Sequence, residues 1–423
     1  MRRATRGIVL VGLWWGGVAG ASETIALPVL VRVEVTEGER VDPPVVWALP
    51  EGVDGQALEV VDTTMDAARR VPCQVDPLTR TVWWHASGTL PAGSVRTYRV
   101  QSRLGTGATP VAVEAAIVPT GVEFRWQGRL LARYRQAHVE PPPGMNPRYG
   151  RSAHLHPIAT LHGAVVSDEM PPDHAHQSGI FLAYPRTQFA GQAVDFWNLA
   201  AGQGRVRFAK RKHAASGPLF AQFVVEHEHV ALDPASDPQN LGAETGGTTV
   251  LLEEWLVRAG QIDPQGGLWC LDIVSTLRCA SDQPLHLPQY HYGGMAVRGA
   301  RSWTPGQVQC VTSEGQSRLE GNHTRPRWCQ MRGPVDGHAA GIVLMTHPDN
   351  FRFPEPLRIH PTMPYMVYTP SFLGDWEIVP GRPHVSRFRF IIHDGELPPE
   401  RIERSWRDFA HPLVAQTVGR AAP

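Results

Sequence analysis

Thirty-eight prolines spread through 423 residues leave almost no window in which a long helix could run unbroken. A proline inside a helix removes a hydrogen bond and clashes with the preceding turn. Forty-one glycines weaken helices further. A coiled coil or a helical bundle is therefore excluded. Disorder is excluded too, because 13 Trp, 13 Phe and 8 Tyr can build a large core.

What remains is β-structure. Residues 29–35, 95–100 and 122–126 alternate apolar with polar side chains, and longer β-branched or aromatic runs follow at 219–232, 248–258, 267–277 and 385–393. Gly, Pro and Asp clusters separate them, as at 141–144 and 233–238. One segment reads as a helix: Pro398, Pro399 and Glu400 open it, and Ile402, Trp406 and Phe409 recur on one face. No repeat with a period of 20–50 residues is present. The pattern predicts an all-β chain, a large β-sandwich preceded by a smaller β module and closed by one C-terminal helix. A Gly/Thr/Pro stretch at 104–110 offers a boundary.

Forty basic and 40 acidic residues balance, so no global field draws nucleic acid or anionic lipid. Lysine occurs only at Lys210 and Lys212, which excludes a phosphate-binding GxxxxGK[ST] loop. The first residues read as an export signal. Arg2, Arg3 and Arg6 precede an apolar run, and Ala19, Gly20 and Ala21 form a cleavage site. That run is about 12–15 residues, short of the ~20 a spanning helix requires. Cleavage after residue 21 gives a slightly acidic exported chain, periplasmic or secreted. The five cysteines permit disulfides there, with Cys270–Cys279 and Cys310–Cys329 as possible pairs and buried free thiols as the alternative.

Acid–base side chains concentrate between His154 and Trp197, where His154, His156, His162, Asp168, Glu169, Asp173, His174, His176 and Asp195 lie close in sequence. On a strand, His174 and His176 would face one way, spaced to grip a metal or flank a substrate hydroxyl, and Asp173 could orient one imidazole. A second concentration is Tyr290, His291 and Tyr292, followed by Arg298, Arg301 and Trp303. A strand would turn His291 away from both tyrosines, and aromatic rings beside polar groups suit sugar faces. A third group is His347, Asp349 and Asn350 with Arg358 and His360. The adjacent carboxylates Asp168–Glu169 and Glu253–Glu254 would point to opposite sheet faces, so only one of each pair could line a site. HExxH, GxSxG and GxGxxG motifs are absent.

The runs at 171–181, 194–197, 292–294, 346–350, 378–381 and 390–395 resemble, in order and spacing, a large bacterial family of unknown function labelled PmoA-like after a methane oxygenase subunit. The resemblance spans roughly 130–412. The family pattern has a second histidine and an arginine where this chain has Gln177 and Ser178. An oxygenase subunit embedded in a membrane needs several apolar helices, which this sequence lacks. The resemblance implies kinship with carbohydrate-active sandwiches of the galactose-mutarotase-like supersandwich type, a fold-level analogy that fixes no reaction.

The expectation is thus a signal peptide at 1–21, a β module at 22–118 and a β-supersandwich at 119–412. The chain would be carbohydrate-active, of hydrolase, lyase or epimerase type, acting on a glycoside or sugar derivative. His176 and His291 would exchange protons, with Asp173 orienting an imidazole. His174, Asp195, Trp197, Tyr292, Arg301 and His347 would bind the substrate. No metal or other cofactor is assigned. The alternatives are a non-catalytic glycan-binding protein and a metal-dependent enzyme using His174 and His176.

Overall fold

A computed structural model describes residues 27–420, apart from 54, 56–57, 65–67, 104–109 and 234–245. The expected signal segment lies outside the described residues. The chain divides into two compact units, one comprising Met1–Pro110 with Arg407–Pro423 and the other Val111–Trp406. No helix among the described residues is long and apolar enough to cross a membrane.

The smaller unit is built from two main sheets. One runs in the order Gln416–Arg420, Val29–Glu34, Val95–Ser102, Leu58–Asp62, Arg69–Val71; the other runs Leu413–Val414, Pro44–Ala48, Thr81–His85, Cys73–Asp76. Alternation along Val29–Glu34 sends Val29, Val31 and Val33 into a core with Trp47, Trp84, Tyr98 and Leu413. Where a module at 22–118 was expected, Val113–Val118 instead pairs with Gly121–Trp126 in the larger unit. The last strands of the chain, for their part, complete the smaller one.

The larger unit is all-β and multi-sheeted. One eight-stranded sheet, here the site sheet, runs Val113–Val118, Gly121–Trp126, Arg129–Arg135, His154–Ile158, Ile180–Ala183, Gly294–Arg298, Tyr365–Tyr368, Leu357–Ile359. The second holds the long predicted strands Phe220–Ala231, Thr248–Asp263, Leu268–Cys279 and His384–Asp394. The sheets share one core, in which Phe223 stacks on Phe124 and touches Tyr134, both ring pairs at 5.2 Å. The one α-helix among the described residues, Pro399–Ala410, buries Ile402, Trp406 and Phe409 as its periodicity requires. All five cysteines are free. Cys310 sits opposite Met331 and Cys329 opposite Thr312, so this candidate pair is out of register by two residues.

Two of the buried carboxyls in the larger unit, Glu253 and Glu355, differ sharply in their partners. Glu253 faces inward with Leu251, Trp255 and Val257, whereas Glu254 points outward to Lys212 at 2.8 Å. Glu253 accepts hydrogen bonds from His229 Nε2 (2.9 Å), His227 Nδ1 (3.2 Å), Trp255 Nε1 (2.5 Å) and Ser275 Oγ (2.5 Å). Burial opposes its charge, but the two histidine bonds outweigh it and hold the carboxyl well below the usual range. Burial keeps His227 neutral, so its Nε2 is free to accept from the Tyr134 hydroxyl at 2.8 Å.

Glu355 has the opposite fate. It is buried with only the Thr346 hydroxyl and the Asn350 amide as side-chain partners, and burial pushes its pKa up to about 7. A raised folded-state value means that the folded protein keeps a proton the unfolded chain releases above about pH 4.3. That contribution to stability is complete below about 4.3 and is lost as pH rises through 7. Glu355→Gln mimics the protonated form permanently. Relative to wild type, the variant should gain about 2 kcal/mol between pH 5 and pH 8 in urea unfolding. A difference that does not move with pH would show an ordinary carboxylate.

Candidate functional site

Register decides which side chains meet. Opposite residues on neighbouring strands share a face, and the pairs Phe181–Ala296, Arg298–Tyr365 and Arg358–Val367 align on the face turned away from the inter-sheet core. His154 and His156 lie on that face too, because Leu155 pairs with the core residue Ile180. The segment 167–179 loops over it as a short antiparallel excursion bridged at Glu169–Ser178. Gly179 ends the excursion at φ 51°, where a Cβ would lie 1.9 Å from the Leu155 carbonyl oxygen, so only glycine fits.

The tip of this loop carries Asp173, His174 and His176. It forms consecutive turns, so strand alternation does not apply to it: His174 N–H bonds to Pro171 O and Gln177 N–H to His174 O. The two imidazoles still meet edge to face at 5.5 Å. His174 also meets His360 at 5.7 Å, and His176 meets Trp197 at 6.1 Å. The band continues from Trp197 to Tyr292 (5.9 Å), Tyr292 to His291 (4.6 Å), His291 to His323 (6.3 Å) and His323 to Phe372 (4.3 Å). Five histidines and three aromatic rings thus form one chain of ring contacts, drawn from six separate places in the sequence.

His176 and His291 both lie on this band, with His174, Trp197 and Tyr292. The expectation for His291 is corrected in one respect. Residues 289–293 are not a strand, and its ring packs between Tyr290 and Tyr292 at 4.3 and 4.6 Å. Trp197 is buried, so it backs the band instead of offering an open face.

Other expected roles divide. Asp173 lies 3.5 Å from the Nδ1 of His174, one of the two imidazoles it was expected to orient, and its carboxylate also takes a two-pronged grip from Arg298 at 3.1 and 3.2 Å. Burial opposes its ionisation, but Arg298 holds the carboxyl below the usual range. Asp195 is spent on structure, accepting the backbone N–H groups of Trp197 (2.8 Å) and Asn198 (2.7 Å) in a turn that fixes Trp197. Arg301 clamps Asp168 at 2.8 Å and braces the base of the loop. His347 sits in the turn after His338–Thr346 of the other sheet, its Nδ1 accepting the Asp349 N–H. Glu169 binds His154 (2.6 Å) and Arg135, beneath the loop.

His323 and Tyr365 join the site without any signal in the local sequence, and Arg298, Arg358 and His360 acquire roles there. Arg298 also donates to Gln177 at 3.0 Å, so it locks both ends of the loop tip. Four of the imidazoles, those of His176, His291, His323 and His360, are pushed towards the neutral form. Burial, then the charges of His174, Arg151 and Arg298, lower His176 to about 4. Burial, then Arg358, His174 and Arg298, bring His360 to about 4. His291 and His323 are depressed by burial and by Arg358. Neutral imidazoles can accept a proton at pH 7.

Several polar atoms in the cluster are buried without a partner: His174 Nδ1, His323 Nε2, the Tyr365 hydroxyl, and Nε of Arg298 and Arg358. Folded proteins leave few such groups, so their concentration marks a surface that awaits hydrogen bonds. Among the described residues, no three His, Cys, Asp or Glu side chains are grouped to hold a metal, since Asp173 turns to Arg298. No curated protein matches the chain. Residues 121–407, which contain every residue of the band, match a family of unknown function, DUF6807, and the chain belongs to that family.

Proposed function

We propose that this is an exported carbohydrate-active protein that performs acid–base chemistry on a glycoside or sugar derivative. The observation that carries this reading is the band of imidazoles and aromatic rings from His360 to Phe372. Pyranose rings present apolar C–H faces and a rim of hydroxyls, and the band offers rings together with unpartnered donors and acceptors. His176 and His291 are the proton-exchanging groups, while His174 and Tyr292 line the site. Kinship with PmoA-labelled proteins and galactose-mutarotase-like sandwiches is part of the same proposal.

Two-carboxylate hydrolysis fits this geometry poorly. Asp168, Asp173 and Asp195 are each engaged by arginine or backbone N–H groups, which leaves the imidazoles to move protons. The same engagement favours the second reading, a glycan-binding protein that does no chemistry. Turnover separates the two. A panel of glycosides and oxidised sugars is offered to wild type and to His176→Ala, and loss of at least ~100-fold in kcat with binding retained is expected. Equal turnover by both proteins would remove His176 from the mechanism. Binding without any product would establish the second reading.

A further inference from the structure

We propose that the ligand of this site carries a negative charge, and that Arg358 receives it: an acidic saccharide, uronate or sulfated sugar, in place of a neutral one. The sugar part of this statement rests on the reading above, whereas the charge rests on separate observations.

The arginines around the site are not treated alike. Arg298 and Arg301 each have a carboxylate, Asp173 and Asp168. Among the described residues, no carboxylate pairs with Arg358. Its Nη1 donates to Asn322 Oδ1 (3.0 Å) and to the Ile359 carbonyl (3.2 Å). Nη2 makes only a 3.4 Å contact with the Tyr292 hydroxyl, at the limit of a hydrogen bond, and Nε has no partner. The guanidinium lies over the Tyr292 ring at 5.3 Å, which places it on the band itself.

Arg186, over the Tyr290 ring at 4.2 Å, likewise has no carboxylate among the described residues. Arg318 spends its donors on the carbonyls of His360, Met363 and Val308. Arg358 and Arg318, both partly buried, and the exposed Arg186 therefore flank the band without a carboxylate partner among the described residues, while Asp173, which adjoins it, is already matched. A partly buried cation without a counter-ion is costly unless something anionic neutralises it, and a guanidinium fork fits carboxylate or sulfate in two-pronged geometry.

His323 adds backbone evidence. It is a non-glycine residue at φ 64°, and this left-handed conformation aims its ring between His291 and Phe372. The histidines also supply a reporter. Arg358 lowers His291, His323 and His360, so an anion placed beside it should raise all three.

The test uses two kinds of probe. Inorganic sulfate is titrated while histidine ring resonances are followed by NMR, and calorimetry compares a methyl uronide, a sugar sulfate and the neutral methyl glycoside. Wild type should show raised midpoints for His291, His323 and His360 with sulfate, and at least ~10-fold preference for an acidic sugar. The stronger of the two acidic sugars identifies the anion. Arg358→Gln should abolish both effects, and Arg358→Lys, which keeps the charge but not the fork, should retain part of each. The lysine variant serves as the test if the glutamine variant does not fold: full wild-type preference there would overturn the role of the fork.

Unmoved histidines with sulfate, or a neutral glycoside bound as tightly as the uronide, would overturn the charge proposal and leave the sugar reading standing. Sulfate bound through Arg358 with no saccharide bound would uphold the anion site and overturn the sugar reading.

Discussion

Glu253→Ala should destabilise the larger unit by about 3–5 kcal/mol, the range for breaking a buried charged network by deleting one partner. The four donors now converging on the carboxylate would be left buried together, two of them imidazoles that could no longer share an acceptor. Glu253→Gln should cost less at neutral pH, since it keeps the shape but turns one acceptor into a donor facing other donors. Urea unfolding gives both values. A loss below about 1 kcal/mol for the alanine variant would mean that water replaces the carboxylate. Acid sharpens the same prediction. Because the folded-state value of Glu253 is depressed, its contribution is present above the unfolded carboxylate value of about 4.3 and is lost as pH falls towards the folded one. His227, buried and neutral, acts in the same sense from about pH 6.5 downward. Below about pH 4.3, where the wild-type carboxyl begins to take up its proton, Glu253→Ala should therefore lose less stability per pH unit than wild type.

The second large effect should come from Arg298→Ala. Its guanidinium is buried and joins Asp173 to Gln177 across the loop tip. Deletion leaves the buried Gln177 amide without that partner, a cost of about 1–3 kcal/mol, and frees the turn that presents His174 and His176. Ligand affinity or turnover should fall at least ~100-fold, since a displacement of ~1 Å at a catalytic group has that consequence. Arg298→Lys should recover much of the stability but little of the activity, because an ammonium cannot span both partners. Activity restored by lysine would show that charge alone, not the fork, positions the loop.

Periodicity carried most of the architecture. The apolar positions at 29, 31 and 33 are the buried ones, and the long β-branched runs became the long strands of the second sheet. Even the inward turn of Glu253 is written in its neighbours, since Leu251, Trp255 and Val257 alternate with it. The site was less legible. His174 and His176 meet through tandem turns, a geometry that strand alternation does not describe, and the Gly- and Pro-flanked 289–293 segment obeys no alternation either. Tyr365 reaches the site only because it pairs with Arg298 across the sheet, and His323 arrives on an irregular segment. Long-range register of that kind leaves no mark in a local window of sequence. Asp195 and Arg301 misled for a simpler reason: side chains suited to bind a sugar are equally suited to fasten a turn or a loop.

The pairing of Val29–Glu34 with Gln416–Arg420 has a consequence for how the protein is made. One edge of Val29–Glu34 must wait for a segment that leaves the ribosome after the larger unit, while the whole of Val111–Trp406 can collapse in the interval. Until then a row of unpaired backbone groups on Val29–Glu34 remains open, a template for another chain. The larger unit also shortens that wait: once folded, it replaces a flexible span of nearly three hundred residues with a compact body, which lowers the loop-closure entropy of the final step. Val95–Ser102 can pair with the other edge of Val29–Glu34 much earlier, so the strand takes its place in two steps separated by the synthesis of the larger unit.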